Sequence, residues 1–253
     1  MSDVVIHFDS VAKHYPMYHH ITSGLKNFLF RFPTVVSELR RNRIVALENL
    51  SFDVYRGETL GIIGQNGSGK STTLGLIAGV LRPARGVVQV HGRVSPLLEL
   101  GGGFHPELTG RENIKLNGVL LGLSRSEVEL RTESIIAYTE LGSQHIDQPI
   151  RTYSSGMLAR LGFAIVSHLD PEILLVDEIL AVGDEGFKKK CAETLQEFHR
   201  KGVTVVLVSH NMVEVEKFCD RVLWIDQHVD KMIGDPAEVI GHYKDSFGQP
   251  APG

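Results

Sequence analysis

Cysteine is scarce in this chain of 253 residues. The two present, Cys191 and Cys219, stand far apart and in no metal-binding spacing. Neither a disulfide framework nor a zinc motif is available, so a reduced, cytoplasmic protein is expected. Long apolar runs are also missing: no stretch approaches the roughly 18 residues needed to cross a bilayer. The start, Met1-Ser2-Asp3-Val4-Val5, carries no basic segment followed by an apolar core, so no signal peptide is expected. Charge of one sign is not in excess. Lys+Arg is 26 against Asp+Glu 30, a formal net charge of −4, which argues against binding nucleic acid through bulk charge. No internal repeat is visible. At 42% hydrophobic and 22% charged residues, the composition is that of a globular domain with length enough to bury a core.

Alternating apolar residues at Val4, Ile6 and Phe8, and at Leu50, Phe52 and Val54, predict two half-buried strands. Between them, residues 16–45 form an insertion. Leu25, Phe28, Leu29 and Phe32 recur there at helical spacing beside Lys26, Arg31, Arg40, Arg41 and Arg43. Uninterrupted apolar runs at 59–63, 173–176 and 203–208 predict strands buried on both faces. Helices are expected at 70–81, stopped by Pro83, and at 185–201, 212–218 and 237–243. Strands alternating with helices predict an α/β fold with a mostly parallel sheet. Residues 109–168 break the alternation with helical periodicity and read as an inserted helical subdomain, its last helix running from Ser154 as N-cap to His168. Residues 1–253 are expected to form a single domain. The tail from Gln249 is expected to fray.

Gly64-Gln65-Asn66-Gly67-Ser68-Gly69-Lys70-Ser71 fits G-x-x-x-x-G-K-S/T between a predicted strand and a predicted helix. Glycines let backbone N–H groups curl around phosphate oxygens, and the helix N-terminus adds its positive dipole end. Lys70 is expected to reach the β and γ phosphates, Ser71 to ligate Mg²⁺, and Thr72 to extend the cradle. The strand Ile173–Val176 ends in Asp177 and Glu178, placing two carboxylates at the sheet edge beside the loop. Asp177 is expected to hold the Mg²⁺ shell, and Glu178 to position or deprotonate an attacking water.

Tyr153-Ser154-Ser155-Gly156-Met157 resembles the signature sequence of ABC-type ATPases. Ala181-Val182-Gly183-Asp184 resembles their D-loop, and His210 their switch histidine. Lys13-His14-Tyr15 resembles the start of their A-loop. The resemblance implies a P-loop NTPase (RecA-like) core, an N-terminal antiparallel β subdomain and the inserted helical subdomain. It implies adenine stacking on Tyr15 and a γ-phosphate contact from His210. It further implies a head-to-tail homodimer in which Ser154, Ser155 and Gly156 meet the partner's ATP in trans, with Mg²⁺ as cofactor. The other histidines show no ligand spacing and read as surface residues.

Two departures narrow the family. Ser155 stands where the signature usually has glycine. The segment from Leu97 to Asn113 occupies the place of the Q-loop but has no glutamine, leaving Glu99 as the nearest equivalent and a candidate metal ligand. With the insertion after Tyr15, these features resemble the ATP-binding subunits of polysaccharide exporters. That implies a membrane-spanning permease as partner, a lipid-linked glycan of O-antigen type as cargo, and a peripheral place on the cytoplasmic face of the bacterial inner membrane. The insertion suits a helix at the membrane surface. A teichoic acid or other glycolipid exporter is the main competing expectation. A soluble ABC ATPase acting on DNA or ribosomes would bring tandem domains or dense basic patches, and neither is present. A P-loop kinase would need no signature helix.

Overall fold

The computed structural model describes residues 3–16, 43–97, 103–177 and 184–248. Three antiparallel strands form a small sheet in the order β2-β1-β4, from β1 (Val4–Pro16), β2 (Arg43–Tyr55) and β4 (Arg85–Val90). The larger sheet runs β5-β6-β7-β3-β8-β9, with β3 (Thr59–Ile63), β5 (Val94–Leu97), β6 (Ile173–Asp177), β7 (Thr204–Val208), β8 (Arg221–Asp226) and β9 (Val229–Gly234). Its first five strands are parallel, and β9 pairs antiparallel to β8.

The apolar runs have a packing cause. On β6, Leu174 and Val176 join one cluster with Phe163, Phe187 and Trp224, while Ile173 and Leu175 join another with Phe8, Leu47 and Leu74. On β7, Val205 and Leu207 likewise face opposite ways from Val206 and Val208. Burial on both faces removes the need for polar alternation, each such side chain contributing about 1.5–3 kcal/mol. The second cluster joins the two sheets, with α1 (Lys70–Ile77) packed between them.

The helical block comprises α2 (Gly110–Leu120), α3 (Arg125–Thr139), α4 (Ser143–Ile146), a 3₁₀ turn (Ile150–Thr152) and α5 (Ser155–Ser167). Its own core gathers Ile114, Ile135, Ile146, Tyr153 and Leu161. Thr109 with Glu112, and Ser124 with Glu127, close reciprocal capping boxes that start α2 and α3. The Thr109 amide N–H, then its hydroxyl, hold the Glu112 carboxyl below its ordinary range. Three helices complete the chain: α6 (Glu185–Arg200), α7 (Met212–Phe218) and α8 (Pro236–Gly248).

Some expectations shift at the boundaries. The helix predicted over 70–81 ends at Ile77, because Gly79 turns the chain at φ +71° and the Leu81 N–H donates to the Gly75 carbonyl at 3.0 Å. The 16–45 insertion is narrower than expected: Pro16 and Arg43 are paired residues of β1 and β2, and Ile44 and Val45 continue the strand. Its residues 17–42 lie outside the described residues, as does the tail from Gln249. His14 is not a surface residue. Its side chain is 14% exposed, with Nε2 3.3 Å from the Glu48 carboxylate.

Candidate active site

The phosphate loop spans the turn from β3 into α1. Gly64, Gly67 and Gly69 have φ of +152°, +81° and +113°. A Cβ at Gly64 would overlap the Ile225 carbonyl and lie 2.7 Å from Ser68 Oγ. At Gly69 it would lie 2.5 Å from the Ala46 carbonyl. The loop is thus packed against β2 on one side and β8 on the other, while Gln65, Asn66 and Gly67 stay exposed. Gly69 caps α1 with no side-chain hydrogen bond. The first-turn N–H groups of α1 have no helical carbonyl to pair with, which makes this end an anion cradle.

Lys70 is buried at the start of α1. Its Nζ donates to the carbonyls of Gly64 at 2.8 Å and Gln65 at 2.9 Å, so the ammonium sits inside the loop. Ser68 is buried, and its Oγ has no hydrogen-bond partner among the described residues. A buried hydroxyl of that kind costs free energy unless something meets it. Ser71 is exposed and Thr72 half-buried on the first turn of α1. A glycine cradle, an internal ammonium and an orphan hydroxyl fit a polyphosphate. Ser71 and the carboxylate of Asp177 supply hard oxygen donors of the type Mg²⁺ takes.

Sheet order brings the other groups in. Strand β7 lies between β3 and β6, and Val208 is level with Asp177 on one side and Ile62 on the other. Asp177 therefore stands two strands from the loop, about 10 Å at the usual strand spacing. His210 follows the end of β7 and is exposed, directly after buried Ser209, whose Oγ accepts the Asn211 N–H at 3.1 Å. Tyr15 is half-buried near the end of β1, opposite Ile44, with Lys13 Nζ 5.4 Å from its ring centroid. Glu178 and Glu99 lie outside the described residues, as do Ala181, Val182 and Gly183.

The signature segment belongs to the helical block. Ser154 caps α5, accepting the Met157 N–H at 3.2 Å, and both Ser154 and Ser155 are exposed, with Gly156 half-buried. Tyr153 anchors the segment: its ring is buried and its hydroxyl donates to the His145 carbonyl at 2.7 Å. Asp184 caps α6, accepting the Phe187 N–H at 2.9 Å. Its other oxygen takes Arg160, a residue that carries no local signal in the sequence.

Among the described residues no cluster of His, Cys, Asp and Glu could hold a metal ion by itself. No described helix is long and apolar enough to cross a membrane.

The ABC transporter family model matches residues 47–181. The chain is 54% identical, over 96% of its own length and 98% of the relative's, to the O-antigen export system ATP-binding protein RfbB of Klebsiella pneumoniae. It is 40% identical over 94% of its length to the teichoic acids export ATP-binding protein TagH of Bacillus anthracis, covering 42% of that protein. Among solved structures, it resembles a dimeric ATP-binding cassette in a post-hydrolysis state with ADP and phosphate. That match has a TM-score of 0.73 at 21% identity and covers 91% of this chain and 98% of that one. The ATP-binding subunit of an ABC transporter matches at a TM-score of 0.72, also at 21% identity, covering 95% of this chain and 93% of that one. These two likenesses give the fold, a P-loop ATPase cassette. Sequence and site together place the chain in the ABC transporter family, as an ATP-hydrolysing, ATP-binding subunit.

Proposed function

We propose that this subunit powers export of a lipid-linked polysaccharide of O-antigen type through a membrane-spanning permease, at the cytoplasmic face of the bacterial inner membrane. The observation that carries the cargo is the near-full-length identity to RfbB of Klebsiella pneumoniae, 54% against 40% for the teichoic acid relative. The groups that bind ATP say nothing of cargo.

In this reading Tyr15 stacks on adenine, and the loop from Gly64 to Thr72 holds the phosphates with Lys70 opposing their charge. Ser71 and Asp177 hold Mg²⁺, with Glu99 a candidate further ligand. Bound there, the metal would offset charge on the phosphate oxygens. Glu178 takes a proton from the attacking water, and His210 hydrogen-bonds the water or the γ-phosphate. Ser154, Ser155 and Gly156 form a second anion site at the start of α5. Supplied by a second copy, that site completes a head-to-tail dimer with two composite sites.

The helical block offers the permease a surface. Leu116, Val119 and Leu120 on α2 are exposed, and with Val128 and Glu129 of α3 they line a groove of about 360 Å³ rimmed by Lys115 and Arg125. The apolar and basic insertion, residues 17–42, leaves and re-enters the fold at the paired residues Pro16 and Arg43. Its arginines, together with Arg43 at the start of β2, suit lipid phosphates or the pyrophosphate of a lipid-linked glycan, each basic group near an anionic surface contributing about 1 kcal/mol. In a strain lacking the chain, surface polysaccharide should be lost. The wild-type chain should restore it, and Lys70→Ala should not. An Arg40→Gln/Arg41→Gln/Arg43→Gln variant should keep ATPase activity yet export poorly. Restoration of teichoic acid export, with none of O-antigen, would overturn the cargo.

A further inference from the structure

The phosphate loop leaves β3 at its carboxyl end. At the other end of the sheet, where β3 and β7 begin, a cavity of about 410 Å³ opens. Its floor is apolar: Leu195 of α6, Val205 and Leu207 of β7, and Phe218 and Cys219 at the end of α7. Its rim is polar and mostly basic, with Gln196, His199 and Arg200 from the last turns of α6 and Lys217 from α7. Asp220 is the one carboxylate among the described lining residues, and it is already engaged. Its Oδ2 accepts the Thr59 N–H at 2.8 Å and stands 3.8 Å from His199 Nδ1.

Capping a helix C-terminus is the ordinary use of such cations. Here the hydrogen bonds assign that work elsewhere. The Phe198 carbonyl takes the Lys201 and Val203 N–H groups at 3.1 and 3.0 Å, and the His199 carbonyl takes the Gly202 N–H at 2.9 Å. Glu197 is paired with Lys201 at 2.7 Å. Arg200 uses only Nε, on the Gln196 carbonyl at 3.4 Å, and Lys217 Nζ lies 5.2 Å from the Phe218 ring centroid. Neither has a carboxylate partner among the described residues. Two such cations over an apolar floor are complementary to an anion with an apolar body. The planar guanidinium fork and the lysine point charge both suit phosphate oxygens. We propose that this cavity is a second ligand site, separate from the nucleotide site, for a soluble phosphate monoester carrying one short apolar chain. Its volume falls within the range of small-molecule sites. Strand β3 sets it about 15 Å from the phosphate loop, so ATP and this ligand can be bound together.

Calorimetric titration of the full chain with butyl, hexyl and octyl phosphate, below micelle-forming concentrations, tests this. Affinity should rise about two- to fourfold per methylene as the chain covers the floor, and should fall with added salt. Arg200→Gln and Lys217→Gln should each weaken octyl phosphate binding by about 1.5- to 5-fold, the effect of losing an exposed ion pair, and the double variant by more. Both side chains are exposed and lie away from the nucleotide, so melting and ATPase activity should stay near wild type. Inorganic phosphate and octanol, each resembling half of the probe, should bind far more weakly. The phosphate loop is the competing anion site, so the titration is repeated with saturating ATP and with Lys70→Ala, and binding should persist in both. Amide NMR shifts should change at Thr59, Val205 and Asp220 rather than at residues 64–72. Displacement by ATP, loss in Lys70→Ala, or undiminished binding by the Arg200→Gln/Lys217→Gln chain would overturn the proposal. So would failure of octyl phosphate to bind at millimolar concentration. Arg200- and Lys217-dependent capture by phosphatidylglycerol vesicles, with no binding of octyl phosphate, would assign these cations to a membrane surface and overturn it too.

Discussion

Gly64→Ala tests how the phosphate loop is built. The native residue sits at φ +152°, and an added Cβ would overlap the Ile225 carbonyl and press on Ser68 Oγ. Backbone strain at such an angle costs about 1–3 kcal/mol. Overpacking against a strand carbonyl that cannot swing away adds about 1–3 kcal/mol. Gly67→Ala is the internal control. It also has positive φ, +81°, but nothing among the described residues lies within 4 Å of its Cβ, so only the left-handed conformation costs, about 1–2 kcal/mol. The difference between the two should be about 1–3 kcal/mol. At about 2–4 °C per kcal/mol for a chain of this size, Gly64→Ala should melt several degrees below Gly67→Ala. Trp224, the single tryptophan, lies on β8 next to Ile225 and reports melting by fluorescence. ATP titration should show Gly64→Ala as the weaker binder, because the loop must move off β8 to fit the methyl. Equal melting temperatures, or the reverse order, would refute the packing argument.

Three further outcomes follow from the site and its surroundings. Glu178→Gln should bind ATP nearly as wild type and hydrolyse it about 10²–10⁴-fold more slowly, since the amide cannot act as a base; wild-type turnover would remove Glu178 from that role. Tyr153→Phe removes the hydroxyl that donates to the His145 carbonyl and should lower stability by about 0.5–1.5 kcal/mol in a denaturant titration. Cys191 and Cys219 are buried, and burial pushes both thiols up to about 12. At pH 8 the thiolate fraction is then about 10⁻⁴, so iodoacetamide should label the folded chain very slowly and the unfolded chain fully; rapid labelling of the native protein would contradict the burial.

What the sequence reveals depends on whether the cause is local. The runs at Thr59–Ile63 and Ile173–Val176 read correctly because burial on both faces leaves no room for polar residues. The glycines of the Gly64–Ser71 loop are legible because they answer to backbone angles within one turn. Strand β9 does not announce itself. Asp230 and Lys231 interrupt its apolar residues, and its turn uses Gln227 and His228 at positive φ where Asn-Gly or Asp-Gly would be the signal. The antiparallel pair β1 and β2 runs further than its alternation suggests, because register shifts near Ser10 and Asn49 break the period of two. Arg160 is invisible for a different reason: its partners Glu140 and Asp184 are 20 and 24 residues away, and only tertiary packing brings them together.

The central claim is that two chains share each ATP, and a mixing experiment tests it most directly. Lys70→Ala should disable the phosphate loop of its own chain, and Ser154→Arg should disable the signature offered to a partner. Each variant alone should be inactive. In a mixed dimer one composite site carries both lesions and the other carries neither. ATPase activity should therefore reappear on mixing, in proportion to the mixed dimers formed. If signature and loop instead work within one chain, every site in the mixture keeps a lesion. Verified mixed dimers with no more activity than either variant alone would contradict the account.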